Sequence, residues 1–233
     1  MGRRALQKID PAIELSSHFF DLDQLPQPWD AQKLFGRVAP LEVEIGTGKG
    51  LFLETAATKL PEHNFLGIEV SRKYARFTAA RLVSHELPNA RAVHGDGLRL
   101  FHEMLPDNGV TAVHVYFPDP WWKRRHRRRR VLNDQFLHDV MRVLKPKGQL
   151  HFWTDVKEYY DTTLERITQL REDPLKIATS SFLEGPLDVP ERPAEYTLDY
   201  RTHFERRTRL HEAPVYRSVF VKQGRICEAG PYL

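Results

Sequence analysis

A single cysteine, Cys227, stands among 233 residues, so an intrachain disulfide is impossible and a reducing compartment, the cytoplasm, is indicated. No run of about twenty apolar residues is present to cross a bilayer. The N-terminal stretch MGRRALQKIDPAIEL lacks the apolar core of a secretory signal. Leu6 also occupies the position where a myristoylation motif needs Ser or Thr. The 11 histidines form no HExxH pair and no Cys/His cluster, so no metal site is legible. Internal repeats are missing too. What is present is enough apolar material for a core, 41% of residues, in a length that suits one larger domain.

Acidic residues are missing from one place in particular. Between Val110 and Arg130 the chain reads VTAVHVYFPDPWWKRRHRRRR, in which Lys123, Arg124, Arg125, Arg127, Arg128, Arg129 and Arg130 follow one another without an intervening acid. The whole chain has 35 Lys and Arg against 31 Asp and Glu, a net +4; without those seven it has 28 against 31, or −3. The basic excess is therefore local, and a local single-sign patch points to a polyanion, nucleic acid ahead of membrane.

Residues 1–37 are polar and broken by Pro11, Pro26 and Pro28, which predicts an extended or partly mobile arm whose Arg3, Arg4 and Lys8 are available to a polyanion. From residue 38 onward one regular domain is expected. Leu41–Ile45 reads as a strand, Leu51–Lys59 as a helix, and Asn64–Val70 as a second strand. Ser71 is placed to cap the next helix through its hydroxyl; Ala75, Ala79, Leu82 and Val83 mark that helix's buried stripe. Ala90–His94 is a third strand, Leu98–Leu105 a short helix, and Val110–Phe117 a fourth strand. Phe136, Leu137, Val140, Met141 and Leu144 form another helical stripe, closed by Lys145–Gly148. Gln149–Trp153 is a fifth strand, Asp155 and Glu158 a capping box for a helix over 156–170, and Val215–Val221 a late strand. Strands alternating with helices predict an α/β fold of the Rossmann-like kind, a mostly parallel sheet with helices on both faces.

The first strand runs into Gly46-Thr47-Gly48-Lys49-Gly50. Glycines after a strand let the backbone turn sharply and let a ligand approach it. A dinucleotide fingerprint requires a further glycine where Leu51 stands, and no Gly-Lys-Ser/Thr follows, so neither NAD nor a P-loop is indicated. Two acids distinguish this turn: Glu44 ahead of it and Glu69 at the end of the next strand. A carboxylate at Glu69 suits a ribose diol. Glu44 repels a pyrophosphate and attracts a sulfonium or ammonium, which favours S-adenosylmethionine. Asp96, between Gly95 and Gly97 at the end of the third strand, is placed for an adenine amino group. At the end of the fourth strand Asp119 sits between Pro118 and Pro120, whose fixed φ angles make a rigid mount for a carboxylate. Trp121 and Trp122 offer flat faces to a base.

Taken together, Glu44-Ile45-Gly46-x-Gly48-x-Gly50, Gly67-Ile68-Glu69, Phe117-Pro118-Asp119-Pro120-Trp121, Thr154-Asp155 and Phe204-Glu205-Arg206 resemble the bacterial tRNA (guanine-N7-)-methyltransferases over roughly Leu41 to Arg206. The resemblance implies a class I methyltransferase fold and methylation of N7 of a guanine in the tRNA variable loop. It implies S-adenosylmethionine contacts from Glu44, Gly46, Gly48, Glu69, Asp96 and Asp119, with a catalytic role for Asp119. Substrate contacts are implied for Lys123, Asp155, Thr202 and Glu205, and RNA contacts for Arg125, Arg127, Arg128, Arg129 and Arg130. His203 and Arg207 stand where the family more often has lysine and glycine. A monomer and a homodimer are equally compatible with these motifs.

Three rivals follow from the residues. A dinucleotide oxidoreductase lacks its glycine at Leu51. A non-catalytic RNA-binding module explains the arginines but leaves Glu44, Glu69 and Asp119 without a task. A methyltransferase with another RNA, or a protein, as acceptor shares every motif up to the acceptor site.

Overall fold

A computed structural model describes residues 6–172, 181–187, 189 and 202–224. Its strands are β1 (Phe19–Asp21), β2 (Leu41–Ile45), β3 (Asn64–Glu69), β4 (Ala90–His94), β5 (Val110–Tyr116), β6 (Leu144–Thr154), β7 (Ser181–Leu187) and β8 (Tyr216–Gly224). They form one sheet in the order β1-β4-β3-β2-β5-β6-β8-β7. All pairings from β1 to β6 are parallel; β8 runs antiparallel between β6 and β7. The chain winds outward from β2 to β4, then returns to place β5 on the other side of β2. That reversal opens a crevice at the carboxyl ends of β2 and β5, where open α/β sheets take ligands.

The helices are α1 (Ala31–Phe35), α2 (Leu51–Lys59), α3 (Arg72–Ser84), α4 (Gly97–Arg99), α5 (Asp134–Val143), α6 (Lys157–Glu172) and α7 (His203–Leu210). A π-helical turn, Leu100–Met104, continues α4. Side chains alternate across each strand, so β5 sends Val113 and Val115 to one face and Tyr116 to the other. On the first face Val43, Ile68, Val113, Val115 and Phe152 pack with Phe101, Phe136, Leu137, Val140 and Tyr159. On the second, Phe65, Ala90, Ala92, Tyr116 and Trp153 pack with Phe52, Leu53, Ala79 and Leu82 of α2 and α3. Of the expected stripes, Ala75, Ala79 and Leu82 in α3 and Phe136, Leu137, Val140 and Met141 in α5 are buried, whereas Val83 is half-buried and Leu144, also buried, opens β6 instead of closing the helix.

Several local expectations are corrected. The segment before residue 38 is no loose arm over its described part. β1 pairs with β4, and Leu15, Leu22, Leu25, Leu34 and Phe35 are buried. Those apolar residues gain more from the sheet edge and the core than the prolines cost. Lys8 is exposed, while Arg3 and Arg4 lie outside the described residues. Ser71 begins α3 without a hydroxyl cap; its amide donates to Glu69 Oε1 at 2.9 Å. Lys145–Gly148 is the bulged start of β6 rather than a separate turn, with Lys147 at φ 63°. The Asp155–Glu158 capping box does not form, because Arg130 and Arg127 bind the Glu158 carboxylate. Thr154 Oγ1 instead receives the Val156 amide at 3.2 Å.

Candidate active site

Every expected site residue of the sheet lies at its carboxyl edge. Gly46, Gly48 and Gly50 all adopt left-handed backbone, with φ of 81°, 54° and 73°. A side chain at Gly46 or Gly48 would meet nothing within 4 Å, so the turn presents bare backbone to open space. Behind it the turn is supported: Gly50 N donates to Thr47 O at 2.9 Å, and the Thr78 hydroxyl of α3 donates to Gly48 O at 3.4 Å.

The two acids do different work. Glu69 Oε2 accepts the Gly48 amide at 3.0 Å while Oε1 accepts that of Ser71, so one carboxylate ties the glycine turn to the start of α3. Glu44 is 1% exposed, and its Oε2 has no hydrogen-bond partner. Burial first, and then the neighbouring Glu69 charge, hold its pKa well above the usual carboxylate range. An orphaned buried carboxyl beside a bare-backbone turn is a defect in a closed core and an asset in a pocket for a cation. Asp96 is exposed and caps α4, accepting the Leu98 amide at 2.9 Å. Nearby, Asp21 accepts His94 Nδ1 at 2.7 Å and Arg72 Nη1 at 2.5 Å, so β1 is tied to the carboxyl end of β4 and to the start of α3. The overall polarity of residues 1–37 hides this; the Phe20-Asp21-Leu22-Asp23 alternation is the available signal.

Beyond β5, Phe117 and Trp121 have φ of 49° and 46°. Two aromatic residues in left-handed backbone bracket Pro118-Asp119-Pro120, and strain of this kind concentrates at functional sites. The bracket is held down at its Phe117 end. Phe117 N donates to Trp153 O at 2.7 Å, and the Phe117 ring lies 4.9 Å from that of Phe204 in α7. Asp119 is exposed on the mount. The indoles separate: Trp121 is covered by Arg129 at 5.0 Å and edged by His126 at 6.0 Å, whereas Trp122 is 67% exposed. Of the two faces expected to receive a base, only Trp122 is open.

Arg124–Arg129 form a 3-10 helix that leaves Lys123, Arg125, Arg127, Arg128 and Arg129 exposed. Arg130 departs from the group expected to touch RNA. Its side chain is 7% exposed and bound within the protein, where a phosphate cannot take its donors without breaking those bonds. At the far side of the loop Thr202 caps α7, accepting the Glu205 amide at 2.9 Å. Glu205 is only 2% exposed, with Arg209 and Arg217 guanidinium nitrogens at 3.5 and 3.6 Å. Both arginines meet the same carboxylate oxygen, Oε1. Asp155 is half-buried at the end of β6, on the same rim as Asp119.

The sheet order, the glycine turn and the acids at successive strand ends define a class I methyltransferase. Two solved structures share the fold: the aminoglycoside resistance methyltransferase NpmB1, 19% identical, covers 85% of this chain and 94% of its own with a TM-score of 0.51. An antibiotic-related methyltransferase, 16% identical, covers 83% and 92% with a TM-score of 0.52. A family model described as "Putative methyltransferase" matches residues 38–217. Curated relatives are more specific. The tRNA (guanine-N(7)-)-methyltransferase of Rhodopirellula baltica is 43% identical over 96% of this chain and 81% of its own. Proteins of the same name from Cupriavidus necator and Legionella pneumophila strain Corby are 38% and 37% identical over 88% and 70% of this chain, and 72% of each relative. The chain belongs to the tRNA (guanine-N(7)-)-methyltransferase family. Among the described residues, no helix is long and apolar enough to cross a membrane.

Proposed function

We propose that this protein is a cytoplasmic enzyme that methylates N7 of a guanine in the variable loop of tRNA, with S-adenosylmethionine as methyl donor. The observation that carries the donor assignment is Glu44, a buried carboxyl with an unpartnered oxygen beside three left-handed glycines. A cationic group is welcomed there, because it favours the charged form of that carboxyl. Glu69 and Asp96 suit the ribose and adenine, and the backbone of Gly46 and Gly48 suits close approach. S-adenosylmethionine, when bound, supplies an electrophilic methyl on a sulfonium.

Guanine N7 has a free lone pair and no proton, so the chain needs no general base. Its task is to aim the ring and to meet the positive charge that the ring acquires. The Asp119 carboxyl group, on a strained mount tied at Phe117 and at Pro120, answers that need by electrostatics. Lys123, Asp155 and Thr202 suit the guanine edge. Glu205, whose carboxylate Arg209 and Arg217 approach, suits the same edge. Arg125, Arg127, Arg128 and Arg129 suit phosphates, which set register without reading bases. Trp122 suits a stacked base.

Bulk tRNA incubated with the protein and methyl-labelled donor, then digested to nucleosides, should yield 7-methylguanosine; any other labelled nucleoside overturns the acceptor assignment. Asp119→Ala should lower turnover about 100-fold or more while calorimetric donor affinity stays within a few-fold. Lost donor affinity with turnover intact at saturation would give Asp119 a different role.

A further inference from the structure

Arg130 closes the cationic run in sequence but leaves it in space. Nε donates to the carbonyl of Pro120 at 2.8 Å. Nη1 donates to Glu158 Oε1 at 3.2 Å and to Thr162 Oγ1 at 3.4 Å, and Nη2 to Glu158 Oε2 at 2.5 Å. The guanidinium carbon lies 4.5 Å from the centre of the Tyr159 ring. The Tyr159 hydroxyl receives the Leu132 amide at 3.3 Å, and burial pushes its pKa up to about 12, so this platform stays neutral. The fork therefore spans two elements: α6 on one side and, on the other, the residue that follows Asp119. Pro120 has no N–H, so its carbonyl is the one backbone polar group by which it can be tied.

We propose that Arg130 is a positioning residue that fixes Asp119 by clamping the Pro120 carbonyl to Glu158 and Thr162 of α6. The proposal rests on the methyl-transfer reading above. The loop between Phe117 and Trp121 carries two strained residues, and strained backbone persists only where its surroundings hold it. The Phe117 end is held by Trp153 and Phe204; the clamp holds the Pro120 end. Only arginine fits this role. A lysine ammonium keeps the charge but cannot reach a carbonyl and a bidentate carboxylate with one planar fork. The rival is a phosphate ligand: a cleft of about 250 Å³ beside the clamp is bordered by Arg127, Arg128 and Arg166 as well as Arg130.

The test uses the full-length protein with Arg130→Lys, Arg130→Ala and Glu158→Gln. Three quantities are read: the single-turnover methylation rate at saturating tRNA, the salt dependence of tRNA affinity, and amide hydrogen exchange over residues 117–123. Arg130→Lys should lower the saturated rate about 10-fold or more and speed exchange over 117–123, leaving tRNA affinity and its salt slope as in the wild type. Glu158→Gln loosens the same clamp from its solvent side and should move rate and exchange the same way by less, which decides the matter if Arg130→Ala does not fold. Unchanged rate at saturation with a salt slope reduced by about 0.7–0.9 would make Arg130 a phosphate ligand and overturn the proposal. Unchanged exchange over 117–123 would overturn it as well. If the wild type forms no 7-methylguanosine, the functional reading fails separately, and the exchange data still decide whether the clamp exists.

Discussion

Glu44→Gln tests the pocket through its electrostatics, in the absence of any ligand. Glu44 is 1% exposed with an unpartnered oxygen, and burial and then Glu69 raise its pKa well above 4.5. The sign follows directly. Above pH 4.5 the unfolded chain releases this proton while the folded chain keeps it, so stability falls as pH rises until the folded value is passed. One proton corresponds to a slope of about 1.4 kcal/mol per pH unit. Glutamine does not titrate. The stability of Glu44→Gln minus that of the wild type should therefore climb by about 1.4 kcal/mol per unit across that window, then level off. Urea unfolding in half-unit pH steps measures the difference curve. A bound cation reverses the preference, since it favours the charged carboxylate. Wild-type donor binding within that pH window should then release a proton, visible as a dependence of calorimetric heat on buffer ionisation enthalpy. Glu44→Gln should release none and bind about 10- to 100-fold more weakly, the range for a lost charge-assisted hydrogen bond. A flat difference curve together with unchanged donor affinity would refute the reasoning.

Two further outcomes follow from the same crevice. Gly50→Ala should cost about 2–5 kcal/mol, because φ is 73° and the new Cβ meets Thr78 Cγ2 at 2.6 Å and Oγ1 at 2.8 Å. Gly46→Ala, with nothing within 4 Å, should lose only the backbone part, about 1–2 kcal/mol, so its thermal midpoint should exceed that of Gly50→Ala. Equal midpoints would remove Thr78 from the account. Trp122→Ala should weaken tRNA binding by about 1–3 kcal/mol, with Trp122→Phe retaining most of it; loss of Trp122 without effect on tRNA affinity excludes stacking there.

Much of this protein is local in origin. A strand followed by glycines and a helix depends on neighbours within a few residues, so β2 to β6 and their helices were legible from period and punctuation. So was the placing of Glu44, Glu69, Asp96, Asp119 and Asp155 at one edge, because in a parallel sheet every strand ends on the same side. The direction in which a side chain turns depends on partners far along the chain. Arg130 reads like its six companions, yet Pro120, Glu158 and Tyr159 draw it inward. Nothing local to Glu205 announces its approach to Arg209 and Arg217, the latter on β8. Trp121 and Trp122 are adjacent and identical in type, and only the folded loop covers one and exposes the other. The attachment of β1 beside β4, and of β8 between β6 and β7, belongs to the same class. Periodicity records which face of an element is apolar; what that face meets is chosen by the competition of all elements for one core, and that competition is settled only in three dimensions.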